Sequence, residues 1–157
     1  MILINSVVVT GCSGLLGRSI VERLVSDGYF VVAIDLEETF PGKFEKDIDN
    51  TKLKCIPLDL SDSENLELRF SEILQSVPNV YGLVNNAAYK QIHKVGNKTS
   101  PMENYPILEW KNTFNINVLA PTLLSRVFSN LIDKNSGGSV VNIASAYGIV
   151  APDQRIY

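Results

Sequence analysis

The sequence predicts an α/β fold, a doubly wound parallel sheet left incomplete at its C-terminal edge, and two observations lead there. Apolar runs rich in β-branched residues, such as Val7-Val8-Val9, are continuous rather than alternating, as in strands covered on both faces. Stretches with apolar residues at helical spacing separate those runs, so strand and helix alternate and the strands should lie parallel. With 157 residues, 45% of them hydrophobic and 20% charged, the chain suffices for one compact core, and residues 1–157 read as a single domain.

The first strand is read over Val7-Val8-Val9-Thr10, and a glycine-containing turn follows it. From Leu16 the residues Leu16, Ile20 and Leu24, with Val21 and Val25 beside them, recur at helical spacing until Asp27-Gly28 supplies the stop. Tyr29 to Asp35 is the second strand, which completes one βαβ unit. After a polar stretch through Asn50, Lys54 to Leu58 reads as the third strand. Ser61 with Glu64 forms a capping box for a helix whose stripe is Leu66, Phe70, Ile73 and Val77. Val80 to Asn85 is the fourth strand, Asn86 to Pro106 has no clear period, and a long helix from about Ile107 to Asp133 precedes a fifth strand, Ser139 to Ala144. A doubly wound dinucleotide fold typically uses about six strands. The fifth would therefore be left as an open sheet edge, and the chain reads as the N-terminal part of a longer protein or one that a partner completes.

Composition narrows the function classes. A net charge of −3 with no basic run or face argues against a nucleic-acid or anionic-membrane partner and favours a small molecule. Met1 to Thr10 is apolar but too short to span a bilayer and lacks a leader's features, so it reads as a buried strand. Cys12 and Cys55 are the only cysteines and read as reduced thiols of a cytoplasmic protein, neither of them a metal ligand. Asn97-Lys98-Thr99 is taken as a chance match to a glycosylation acceptor.

Between the first strand and the first helix stands Thr10-Gly11-Cys12-Ser13-Gly14-Leu15-Leu16-Gly17, the setting in which a G-x-x-G-x-x-G pattern has mechanical meaning. Gly11 would permit the tight turn, Gly14 would let backbone approach a pyrophosphate, and Gly17 would let the helix pack on the sheet. The diphosphate charge would face the N–H groups that open the helix. Asp35, closing the second strand, stands where a carboxylate accepts hydrogen bonds from adenosine ribose hydroxyls and repels a 2′-phosphate. Leu36, Glu37 and Glu38 follow it without a cation, so NAD is expected over NADP. Asp59-Leu60 occupies the corresponding place for the adenine, with helix capping as the rival role of Asp59. Cys12 would lie near the positive end of a helix, where a thiol becomes more acidic, or would be a small filler.

Four motifs in order resemble the short-chain dehydrogenase/reductase family across essentially the whole chain. Beside the glycine loop and Asp35, Asn85-Asn86-Ala87-Ala88 looks like the family's N-N-A-G element, with Ala88 in place of Gly. Trp110 followed by Asn117 resembles the helix that carries an active-site Asn, and Gly138 to Ser145 resembles the strand that ends in the catalytic Ser. The resemblance implies a Rossmann-type NAD-binding domain in which Gly11, Ser13, Gly14, Leu15, Leu16, Gly17, Asp35, Asp59, Leu60, Asn86, Ala87 and Ala88 contact the cofactor. The glycine spacing is that of extended members such as sugar-nucleotide epimerases, whereas Asn86-Ala87-Ala88 and Asn142-Ile143-Ala144-Ser145 match ordinary oxidoreductases.

The implied reaction is hydride transfer between nicotinamide and a carbonyl or alcohol carbon, with Ser145 polarising the substrate oxygen and a Tyr as general acid/base. A Tyr needs its pKa lowered from about 10 to do this near neutrality, and a Lys one turn beyond it serves in the family. Tyr157 stands near the expected spacing after Ser145, but Tyr147 to Tyr157 also resembles a subgroup linked to bacterial surface-sugar and flagellin modification, in which the working Tyr comes after a further loop. Family members use the backbone carbonyl of the residue matching Asn117 to hold a water of the proton relay. Pro121 stands at its i+4 position and has no N–H to occupy that carbonyl, so the helix is expected to kink there. His93 reads as a solvated loop residue or a substrate contact, Trp110 as a buried anchor, and Tyr81 and Phe114 as ordinary packing. The rival functions are a non-catalytic NAD-binding module and a nucleotide-sugar epimerase or dehydratase. Homo-oligomers are expected for the complete protein, because the long helix and the helix that would follow the fifth strand usually build the family's dimer interface.

Overall fold

The computed structural model describes residues 4–36, 44, 48–89, 106–132, 137–151, 153 and 155. It contains a five-stranded sheet in the order β3-β2-β1-β4-β5, with every neighbouring pair parallel. The strands are β1 (Ser6–Thr10), β2 (Phe30–Asp35), β3 (Leu53–Pro57), β4 (Val80–Asn85) and β5 (Ser139–Asn142). Each covers most of the run expected for it. β1 lies in the middle and is buried at every residue, the environment its unbroken valines require.

Alternation of side chains across the sheet divides the core in two. Val8, Val32, Ile34 and Leu83 point to one face and pack with Leu66, Phe70, Leu124 and Phe128 of helices α2 (Leu66–Gln75) and α4 (Ala120–Leu131). Val7, Val9, Val31 and Ala33 point to the other and meet Val21 and Val25 of helix α1 (Leu15–Ser26). Gly28, at φ +93°, closes α1. There the Tyr29 N–H donates to Leu24 C=O and the Gly28 N–H to Val25 C=O, the paired bonds of a left-handed helix stop.

The structure corrects several expectations. The buried stripe of α1 runs through Gly17, Val21 and Val25, while Leu16 is exposed. The Ser61–Glu64 capping box does not form: α2 starts at Leu66 with Asn65 as its cap residue, and both Ser61 N and Ser61 Oγ donate instead to Asp59 Oδ1, at 2.8 and 2.7 Å. Ser61 thus belongs to the turn that Asp59 closes, and the helix begins a turn later, at Leu66. The long helix is not continuous. Helix α3 (Ile107–Phe114) passes through a π-helical turn, Asn115–Leu119, into α4. The π-turn shows in the Ala120 N–H, which donates to Asn115 C=O five residues back. Pro121 then sits in the first turn of α4, where its missing N–H is tolerated. Trp110, Tyr81 and Phe114 are exposed, with Trp110 at 51% and Phe114 at 61%, where burial was expected. Asn97, Lys98, Thr99, His93, Asp133 and Tyr157 lie outside the described residues.

β5 is exposed at each of its residues and pairs with β4 alone among the described strands. Among the described residues no helix is long and apolar enough to cross a membrane.

Candidate functional site

The chain reverses its direction of travel across the sheet between β1 and β4, and a cleft of about 650 Å³ opens beside the C-terminal ends of these strands. Open parallel sheets bind ligands at such a switch point. Gly11, Ser13, Gly14, Leu15, Leu16, Gly17, Asp35, Asp59, Leu60, Asn86, Ala87 and Ala88 all line it, together with Leu36, Leu58 and Ile116. A hollow of about 550 Å³ lies near the opposite ends of the strands, beside Asn5 and Asn79, away from these residues.

The three loop glycines have separate tasks. Gly11 adopts φ +66°, and a Cβ there would come within 2.6 Å of Ala87 Cα, so the turn is tight and also pressed against the end of β4. A Cβ on Gly17 would lie 2.0 Å from Gly11 C=O and 2.8 Å from Asn86 Nδ2. Its bareness thus lets α1 pack on the loop, whereas packing on the sheet was expected. At Gly14 a Cβ would meet only Gly11 O, at 3.4 Å, which leaves that side open. Gly14 caps α1 without a side-chain hydrogen bond, and the first turn holds no acidic residue. The opening N–H groups of a twelve-residue helix with neither cap nor carboxylate suit an anion. That is the chemistry a dinucleotide's diphosphate requires.

Asp35 faces this loop from the end of β2. Its Oδ2 accepts the Ser13 N–H at 2.9 Å and its Oδ1 the Leu36 N–H at 2.9 Å. A carboxylate has about four acceptor sites, so the two bonds orient it while leaving capacity for a diol. Asp59 is exposed and holds Ser61, which makes it the acceptor of a local turn rather than a helix cap.

The end of β4 is stitched to the loop. Asn86 Nδ2 donates to Thr10 C=O and Gly11 C=O, each at 3.0 Å, while the N–H groups of Asn86 and Ala87 donate to Thr10 Oγ1 at 3.1 and 3.2 Å. Thr10 is 1% exposed and went unremarked in the sequence. Its signal was present, a lone hydroxyl at the end of an apolar strand just before Gly11. Ile116 carries no such signal, because its place in the cleft depends on the π-turn.

Cys12 lies under the loop, fully buried. Burial, with the Asp35 charge second, pushes its thiol up to about 12, so it is a filler and not an acidified nucleophile. Asn117 and Ser145 do not line the cleft. Asn117 Oδ1 accepts the Tyr89 N–H at 2.7 Å and so ties the segment after β4 to the π-turn. Ser145 follows β5, is exposed, and its Oγ accepts the Tyr147 N–H at 3.1 Å. No group of three or more His, Cys, Asp or Glu residues that could hold a metal ion occurs among the described residues.

Comparison with known proteins agrees with this architecture. The family model described as short chain dehydrogenase matches residues 5–157. An NAD-dependent glycerol dehydrogenase of Listeria innocua is 25% identical over 149 residues, which cover 95% of this chain and 56% of that protein. An L-xylulose reductase of Caenorhabditis elegans is 31% identical over 144 residues, covering 91% and 54%. Among solved structures, a metagenomic short-chain oxidoreductase in complex with NADP superposes with a TM-score of 0.78 at 27% identity, covering 92% of this chain and 63% of that one. The chain thus spans about half the length of the curated relatives it matches.

Proposed function

Because the chain belongs to the short-chain dehydrogenase family, we propose that it is the nucleotide-binding part of an NAD-dependent oxidoreductase acting on a small carbonyl or alcohol substrate, a sugar derivative being the first class to test. The observation that carries this reading is the Ser13 N–H bond to Asp35, which joins an uncapped helix N-terminus to a carboxylate across one cleft. In this reading the N–H groups opening α1 hold the diphosphate, and Asp35 takes the adenosine ribose hydroxyls. Asp59 and Leu60 flank the adenine, with Asn86, Ala87 and Ala88 along the wall toward β4. When bound, the nicotinamide supplies or accepts the hydride. Ser145 polarises the substrate oxygen by donating a hydrogen bond to it, since the bond from Tyr147 uses only an acceptor site on Oγ. The Asn117 carbonyl holds a water, since Pro121 cannot donate to it. The acid/base Tyr is Tyr157 or one beyond it. Free thiols at Cys12 and Cys55 suit a cytoplasmic setting.

NAD is favoured over NADP because a 2′-phosphate would meet the Asp35 charge. Fluorescence titration should therefore give NADH at least about tenfold tighter binding than NADPH, one like-charge contact being worth on the order of 1–2 kcal/mol. Equal or tighter NADPH binding would overturn the assignment. Turnover with carbonyl substrates separates an oxidoreductase from a non-catalytic NAD-binding module, which binds and does nothing more. The glycine spacing G-x-x-G-x-x-G favours a nucleotide-sugar epimerase as the second reading. Net consumption of NADH would exclude that alternative, because an epimerase returns the hydride to its substrate.

A further inference from the structure

The hollow of about 550 Å³ near the N-terminal ends of the strands lies at the other end of the sheet from the nucleotide cleft, and its size is that of a small-molecule site. Leu74, Val77, Val80, Leu131 and Ile132 give it apolar walls, and its described lining residues include no Lys, Arg, Asp or Glu. Two departures from regular backbone meet there. Ser6 of β1 pairs with Val80 but Val7 pairs with Gly82, so Tyr81 is the extra residue of a β-bulge, a feature rare between parallel strands that re-aims a side chain. The Tyr81 side chain lines the hollow and is 38% exposed. Asn79, two residues earlier, holds φ +50° and lines the same space.

The polar rim is biased toward acceptors. Gln75 Nε2 donates back to Ser71 Oγ at 3.2 Å and Asn79 Nδ2 donates to Asn5 Oδ1, which leaves Gln75 Oε1 and Asn79 Oδ1 as acceptors that no described residue uses. Against them stands one amide donor, the NH2 of Asn5. Helices α2 and α4 both end at the hollow, at Gln75 and Leu131, and the C-terminal end of a helix carries negative partial charge. Pro78 stands three residues beyond Gln75 and has no N–H with which to close a last turn on its carbonyl. Tyr81 adds an aromatic ring, whose face attracts cations. A cation would meet favourable partial charge from each of these groups, and an anion the reverse.

We infer that this hollow is a second ligand site, for a small organic amine with an apolar body. Its ammonium lies among the carbonyl oxygens at the ends of α2 and α4 and against the Tyr81 ring, and its body lies along Val77, Val80 and Ile132. The site is separate from the nucleotide cleft and does not depend on the oxidoreductase reading.

The test compares phenethylamine, phenethyl alcohol and phenylacetate, which share a ring and differ in charge, by NMR titration of the isotope-labelled full-length protein with and without saturating NADH. Phenethylamine should shift the backbone amides of Gln75, Asn79, Tyr81 and Ile132 and bind at least about tenfold tighter than phenylacetate, with the alcohol between them. Its affinity should stay within about twofold when NADH is present, as expected for distant sites. Gln75→Lys places a competing ammonium at the end of α2, where a cation suits the helix, and should weaken phenethylamine about tenfold or more with NADH binding unchanged. Tyr81→Leu should weaken it about threefold, and serves alone if the lysine variant does not fold. Absence of shifts at those four amides, phenylacetate binding as tightly as the amine, or unchanged phenethylamine affinity in the folded variants would overturn the site.

Discussion

Asp35 and Cys12 meet at the glycine loop, where the Asp35 charge acts on the Cys12 thiol, and each leads to a measurement. Replacing Asp35 by Ala deprives the Ser13 and Leu36 N–H groups of their acceptor and removes the charge that faces the ribose. NADH affinity is expected to fall by about tenfold or more, from a charged hydrogen bond worth about 1.5–3 kcal/mol, while NADPH affinity falls less, so the ratio of the two dissociation constants reports the selectivity. For Cys12, the native protein at pH 8 should label with iodoacetamide at the exposed Cys55 and not at Cys12 until denaturant is added. Its thiol is held neutral up to about 12 against an ordinary 9.0. The folded state therefore keeps a proton that the unfolded chain loses. The stabilisation is complete below pH 9 and fades as pH rises toward about 12, so the stability difference between the parent and Cys12→Ala should shrink across that window in urea titrations.

At the scale of elements the π-turn is the feature that periodicity could not foretell. Ile116 of this turn lines the cleft and Asn117 takes the Tyr89 N–H, and the extra residue of the wider turn rotates every later side chain by about 100° from where an unbroken α-helix would set it. Pro121 secures the arrangement, because it offers an N–H neither to Asn117 C=O in an α pattern nor to Ile116 C=O in a π pattern. Pro121→Ala restores that donor. The expected result is a melting temperature equal to or above the parent's, with kcat reduced about fivefold or more and NADH affinity little changed, since a helical bond would occupy the carbonyl proposed to hold water. An unchanged kcat would remove Asn117 C=O from the proton path.

For the whole molecule, the outer faces matter most. Ile107, Trp110, Phe114 and Val118 recur at helical spacing along α3 and the π-turn and are each about half exposed or more, from 47% to 69%. An apolar stripe of this kind is a candidate contact surface, for a second subunit or for the rest of a longer chain. In line with the association proposed for the complete protein, Trp110→Glu with Phe114→Glu should shift it toward monomer in sedimentation velocity while leaving NADH binding intact. Persistence of the same oligomer in that variant would place the interface elsewhere.

What the sequence by itself determined is the part governed by local rules. Strand boundaries followed from continuous apolar runs such as Val7 to Thr10, the stop of α1 from Asp27-Gly28, and the residues of the cleft from a glycine loop joined to an acid at the end of the next strand. Chain direction in a βαβ unit leaves those ends nowhere else to go. Tertiary structure alone decided which of several available partners each polar or bulky group took. Ser61 chose Asp59 over a helix cap, Gly17 made room for the Gly11 carbonyl, Ile116 reached the cleft through a π-turn, and Asn85 paired with Asn142 on a strand far along the chain. These choices compare contacts between distant segments whose free energies differ by about 1 kcal/mol, a difference set by packing geometry and carried by no local pattern of residues.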